Sequence, residues 1–222
     1  MVGNYGSGKT ELSIAIAREM RKTVPGRVAL VDLDIVNPYF RSAEQKELLE
    51  KEGIEVFMPS FAMSTVDIPA LPAQIYGVFQ QNFDRVIFDV GGDDTGATAL
   101  GPYAPHFSRV REETQVLYVV NAFRPFSDSA DKIEELYRLI GEKSRLVPDG
   151  FINNGNLQEH TTAADLIQAH EVVAEASRRL SVPVAAVSGR PLLKEALPSA
   201  MQEIFFPFEP VMKPDWLVNI DE

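Results

Sequence analysis

The sequence contains no cysteine. Structural disulfides, thiolate zinc sites and iron–sulfur clusters ligated by this chain are therefore excluded. It has three histidines, His106, His160 and His170, which share no ligand spacing. Positive charge is scarce: 21 Lys and Arg stand against 32 Asp and Glu, a formal net charge of −11 at pH 7. Nonspecific DNA binding depends on cations that neutralise phosphates, and an anionic leaflet repels an acidic chain. Nucleic acid and membrane surfaces are therefore not expected partners. No stretch approaches the ~18 apolar residues of a membrane span, and no secretory signal is read ahead of the first motif. The expected location is the cytoplasm.

What remains is an ordinary globular composition. The 222 residues are 45% hydrophobic and 24% charged, enough to bury one full core. Strand-like apolar runs lie at residues 27–31, 54–58, 85–89, 115–121, 150–153 and 182–187. Helical patterns lie at 9–22, 42–51, 71–81, 127–142 and 162–180. The stretch 94–111 is ambiguous because Pro102 and Pro105 interrupt it. The alternation predicts an α/β fold, a mainly parallel sheet flanked by helices on both sides. No linker, repeat or low-complexity tract divides residues 1–222, so a single domain is expected.

Gly3-Asn4-Tyr5-Gly6-Ser7-Gly8-Lys9-Thr10 fits the phosphate-loop pattern G-x-x-x-x-G-K-[ST]. Glycines let the backbone curl so that N–H groups point at phosphate oxygens. The helix that starts there adds the positive end of its dipole. Gly3, Gly6, Ser7 and Gly8 thus form the expected cradle, Lys9 reaches the β- and γ-phosphates, and Thr10 can ligate Mg²⁺. The ligand expected is Mg·ATP. Such a loop normally follows a buried strand, yet only Met1 and Val2 precede Gly3. A three-layer P-loop NTPase fold is expected whose first strand is missing from the chain, with a vacant slot beside the strand that ends in Asp89; an upstream start is the favoured explanation.

Two apolar runs end in acids. Val28-Ala29-Leu30-Val31-Asp32-Leu33-Asp34 places two carboxylates two residues apart, on one face if the chain stays extended. In an open parallel sheet, ligands sit beyond the carboxyl ends of the strands, so both acids are expected at the phosphate site. One would hold the metal and the other would activate water. Arg85-Val86-Ile87-Phe88-Asp89-Val90-Gly91-Gly92 has the Walker B pattern, with Asp89 toward Mg²⁺ and Gly92 where a backbone N–H senses the γ-phosphate.

With these three segments, GNYGSGKT, VDLDIVNPYFR and VIFDVGGDD, the chain resembles the CobQ/CobB/MinD/ParA-like nucleotide-binding family of P-loop ATPases. The resemblance implies ATP binding, slow hydrolysis and a nucleotide-dependent homodimer. Carried over, it makes Lys9 and Thr10 the loop ligands, Asp34 the water-activating acid, Asp32 its strand neighbour on the metal side, and Asp89 the Walker B acid. Three departures limit it. Asn4 stands where MinD and ParA types carry a second, signature lysine; the cysteines of the nitrogenase-iron-protein branch are absent; and the end of the chain is acidic rather than a basic amphipathic helix. The implied function is a nucleotide switch acting on a protein client. The alternative is an ATP-dependent small-molecule ligase or kinase of the CobB/dethiobiotin-synthase-like type.

Asn153 and Asn154 end a late strand where the resemblance implies an asparagine that contacts adenine, and the guanine pattern N-K-x-D is absent there. Arg41, beside Tyr39 and Phe40, is the first candidate for an extra cation at the phosphates. Arg124 is the second.

Overall fold

The computed structural model describes residues 1–34, 43–58, 72–92 and 94–211. Arg41, Tyr39 and Phe40 lie outside these described residues. In chain order the elements open with β1 (Val2–Gly3), α1 (Lys9–Thr23), β2 (Val28–Asp32), α2 (Ala43–Lys51) and β3 (Ile54–Phe57). There follow α3 (Pro72–Val78), β4 (Arg85–Asp89), α4 (Asp94–Leu100) and α5 (Ala104–Arg109). The second half comprises β5 (Leu117–Val120), α6 (Ala130–Ser144), β6 (Gly150–Asn153) and α7 (Ala163–Leu180). It continues through β7 (Val184–Gly189), α8 (Ser199–Glu203) and β8 (Phe205–Pro207). The ambiguous stretch resolves into α4 and α5 joined by a 3₁₀ turn, Gly101–Tyr103. Both of its prolines sit in first turns, where a missing N–H removes no helical bond.

Every strand pairing is parallel, in the orders β3-β2-β4 and β1-β5-β6-β7-β8. Met1 joins the two groups. Its amino nitrogen donates to the Phe88 carbonyl at 2.7 Å, and its own carbonyl accepts from Val90 N at 3.2 Å. That is one rung of a parallel ladder opposite Asp89. The sheet therefore reads β3-β2-β4-β1-β5-β6-β7-β8. The slot expected to be vacant beside β4 holds residues 1–3. A two-residue strand has no periodicity to read, so only the ladder reveals it.

Alternate residues of the strands feed different faces, as the pleat requires. Val28, Leu30 and Ile87 pack with Ile14 and Ala17 of α1. Val31, Tyr118, Val120 and Phe151 pack on the other face with Ile133 and Ile140 of α6 and Val173 and Ala176 of α7. Helices on both faces explain why the strand runs are apolar throughout rather than alternating. Local signals fix the helix starts: Thr162 and Asp165 form a reciprocal capping box at α7, and Ser129 caps α6. Among the described residues no helix is long and apolar enough to cross a membrane.

Candidate functional site

The carboxyl ends of β1, β2, β4, β5 and β6 converge on the loop of residues 3–10. Chain order reverses beside β1, which lies between β4 and β5. That is the kind of place where open α/β sheets bind ligands. Gly3, Gly6 and Gly8 have φ of 144°, 71° and 85°. Gly8 is the N-cap of α1 in the left-handed conformation. A Cβ there would be strained and would also collide with the Asn154 amide.

The loop is closed by its own polar groups. Lys9 Nζ donates to Asn4 O at 2.8 Å, Ser7 N to the same carbonyl at 3.2 Å, and Tyr5 N to Asn4 Oδ1 at 2.8 Å. Asn4 is thus folded into the loop rather than extended from it. Lys9 is buried, and the wholly buried Ser7 hydroxyl has no hydrogen-bond partner. A buried ammonium beside a curled glycine loop and an orphaned hydroxyl are groups that a polyanion would satisfy.

The acids line up with the loop. Asp32 and Asp89 are register partners on β2 and β4, and the alternation that faces Leu30 and Ile87 toward α1 faces these two residues the same way. Asp89 is buried, hydrogen-bonds the Thr10 hydroxyl and accepts from Ser13 Oγ at 3.3 Å. Burial pushes its carboxyl above the ordinary range; Thr10, Lys9 and the amino terminus oppose that, and the Asp34 charge adds to it. Asp34 does not continue the extended chain. Its N–H donates to Asp32 Oδ1 at 2.9 Å, an Asx-type turn. A Cβ built on Gly91 would stand 3.2 Å from Asp34 Oδ1, so this acid reaches the end of β4. Gly92 is backed onto the loop: a Cβ there would stand 2.6 Å from Tyr5 Cα and 2.9 Å from Lys9 Nζ. Only glycine lets these two segments meet.

Among the described residues no three His, Cys, Asp or Glu cluster as a metal cage. The Thr10 hydroxyl and the Asp89 carboxylate that lie together, with Asp32 at the register position beside Asp89, fit a magnesium ion. That ion typically takes one or two carboxylates and completes its shell with phosphates and water.

The two asparagines expected at a base take up other work. Asn153 is fully buried, donates to Leu166 O at 3.1 Å and accepts from Gly155 N at 3.1 Å. Asn154 donates to Ser7 O at 2.7 Å and accepts from Ser188 Oγ at 2.8 Å. Both amides are engaged inside the protein, and Asn154 is a brace beneath the phosphate loop. Sequence reasoning missed Asn121, which accepts from Phe123 N and Asn156 N and donates to Asn156 O. It also missed Ser13 and Ser188. The signal was available: each is a polar residue within or ending an otherwise apolar stretch.

The backbone is similar to known proteins. Chloroplast FtsY from Physcomitrella patens matches with a TM-score of 0.53 and 19% identity, over 94% of this chain and 60% of that one. FtsY from Mycoplasma mycoides matches at 0.52 and 17%, over 84% of this chain and 57% of that one. A nucleotide-binding protein from Archaeoglobus fulgidus, in complex with ADP and with cobalt, matches at 0.50 and 15%, over 100% of this chain and 90% of that one. The chain has the P-loop NTPase fold. It spans about three fifths of the length of the FtsY chains it matches. No protein-family model and no curated sequence matches it.

Proposed function

We propose that the chain binds Mg·ATP on the loop of residues 3–10, hydrolyses it slowly, and acts through that cycle as a nucleotide switch on a protein partner. The observation that carries the reading is Lys9: a buried ammonium held by the Asn4 carbonyl at 2.8 Å, beside a curled glycine loop and the buried Asp89. In it, Gly3, Gly6, Ser7 and Gly8 form the backbone cradle around the phosphates. Thr10, Asp89 and Asp32 hold Mg²⁺, which neutralises charge on the β- and γ-oxygens when bound. Gly92 offers its N–H to the γ-phosphate. Asp34 takes a proton from water as the water oxygen bonds to the γ-phosphorus and the bridging oxygen leaves on ADP. The ADP bound by the Archaeoglobus neighbour supports the nucleotide. The lack of N-K-x-D after β6 supports adenine over guanine. The finer placement in the CobQ/CobB/MinD/ParA-like family, the nucleotide-dependent homodimer and the cytoplasmic location rest on the sequence motifs and composition.

The test is turnover of Mg·ATP by the purified chain with no metabolite added, with light scattering on the same sample in a non-hydrolysable analogue. Slow turnover and a shift from monomer to dimer mass are expected. Hydrolysis only after a small-molecule substrate is supplied would replace the switch with a ligase or kinase.

A further inference from the structure

Arg124 has no part in the scheme above, yet it touches the loop. It lies in the turn after β5, where Arg124 N donates to Asn121 O at 3.0 Å and Ser127 N donates to Arg124 O at 2.9 Å. That turn is anchored on the buried Asn121: Ser127 Oγ donates to Asn121 O at 2.7 Å, and Phe123 N to Asn121 Oδ1 at 3.1 Å. From this fixed base the Arg124 side chain reaches back and donates its Nε to the Gly6 carbonyl at 3.1 Å. A Cβ placed on Gly6 would stand 3.3 Å from Nε and 3.6 Å from Cζ. The guanidinium therefore lies against the crown of the phosphate loop. The residue is exposed, and among the described residues its two terminal nitrogens have no hydrogen-bond or ion-pair partner.

The charge balance around the loop makes that position useful. Lys9 is the cation inside the loop, while Asp32 and Asp89 end strands at the same site and Asp34 follows in the turn after β2. A triphosphate adds further negative charge, and charge shifts onto the departing bridging oxygen during transfer. A planar guanidinium tied down at one nitrogen is preorganised to offer the others to phosphate oxygens.

We propose that Arg124 is the second cation of the phosphate site, supplied in cis, its terminal nitrogens contacting the phosphates of the bound nucleotide and stabilising the charge that develops as the γ-phosphoryl group transfers to water. This rests on the Mg·ATP reading above. The bonds made and broken are those of that hydrolysis, and Arg124 keeps its protons throughout.

The test uses the wild-type chain, Arg124→Ala and Arg124→Lys, with Mg·ATP as the probe in calorimetry, steady-state turnover and thermal melting. For Arg124→Ala, turnover falls at least about tenfold, well inside the 10³–10⁵ that a fully engaged arginine can supply. Its affinity stays within about threefold and its melting midpoint does not move. Arg124→Lys recovers part of the rate, because the charge returns without the fork. Mixing Arg124→Ala with Lys9→Ala chains restores nothing, since the cation serves its own loop. Wild-type turnover in Arg124→Ala would overturn the proposal. So would joint loss of affinity and melting midpoint, which would mean that Arg124 only clasps the Gly6 carbonyl. Restored turnover in the mixture would assign the cation to a partner subunit and overturn the cis arrangement. A wild-type chain that binds no Mg·ATP is a different failure, that of the functional reading beneath.

Discussion

Lys9, Asp34 and Asp89 show how much single side chains depend on their surroundings. An isolated buried carboxylate is costly. Asp89 is nonetheless retained at the core end of β4, with two hydroxyls and an ammonium near it. Asp34 has a different setting: it lies past the end of β2, turned toward Gly91 by an Asx-type turn rather than buried in the sheet. The first arrangement suits holding a cation and the second suits meeting a water. Asp34→Ala is accordingly expected to keep Mg·ATP affinity while turnover drops about 10²–10⁴-fold, the usual value of a positioned general base. Parallel calorimetry and phosphate release would check it. Normal hydrolysis in Asp34→Ala, with activity lost in Asp32→Ala, would reverse the two roles.

At the scale of elements, what holds the loop is as informative as the loop itself. Asn154, at the end of β6, bridges Ser7 O and Ser188 Oγ. Removing it takes the amide donor from the buried Ser7 carbonyl, while the Ser188 hydroxyl keeps its bond to Asn153 O at 3.3 Å. The cost is about 1–3 kcal/mol. In a chain of 222 residues that corresponds to a fall of roughly 2–12 °C in melting temperature. Asn154→Ala is expected to melt lower and to bind nucleotide more weakly, as the loop loses its brace. An unchanged melting temperature with altered preference between ATP and GTP would mean that Asn154 reads the base instead.

The same element explains where sequence reasoning stopped. The loop, the two acid-ended strands and the β–α alternation were legible because each has a period or a spacing. Most strand and helix bounds fall within a few residues of those read from periodicity, and β4 and β6 coincide with their runs. β1 was not legible, because two residues carry no period and only its rungs to Phe88, Val90 and Tyr118 define it. Nor was the work of Asn153 and Asn154. An Asn-Asn-Gly sequence looks like an exposed turn, whereas the fold carries both amides inside, against residues as distant as Ser7 and Ser188.

For the whole molecule, the order β3-β2-β4-β1-β5-β6-β7-β8 sets the position of the site. β1 has neighbours that lie far from it in sequence, so the phosphate loop, the acids of β2 and β4, the Arg124 turn and the Asn154 brace come from widely separated segments and meet at the carboxyl ends of the central strands. An acidic chain of this kind needs local cations to receive a polyanion, and the loop supplies Lys9 at its base. The most direct measurement is a calorimetric titration of Mg·ATP into the wild-type chain and into Lys9→Ala. Saturable binding of one nucleotide per chain in the wild type, abolished in a Lys9→Ala chain that still melts cooperatively, is expected; equal affinity in the two proteins, or no binding in the wild type, would contradict a phosphate site on residues 3–10.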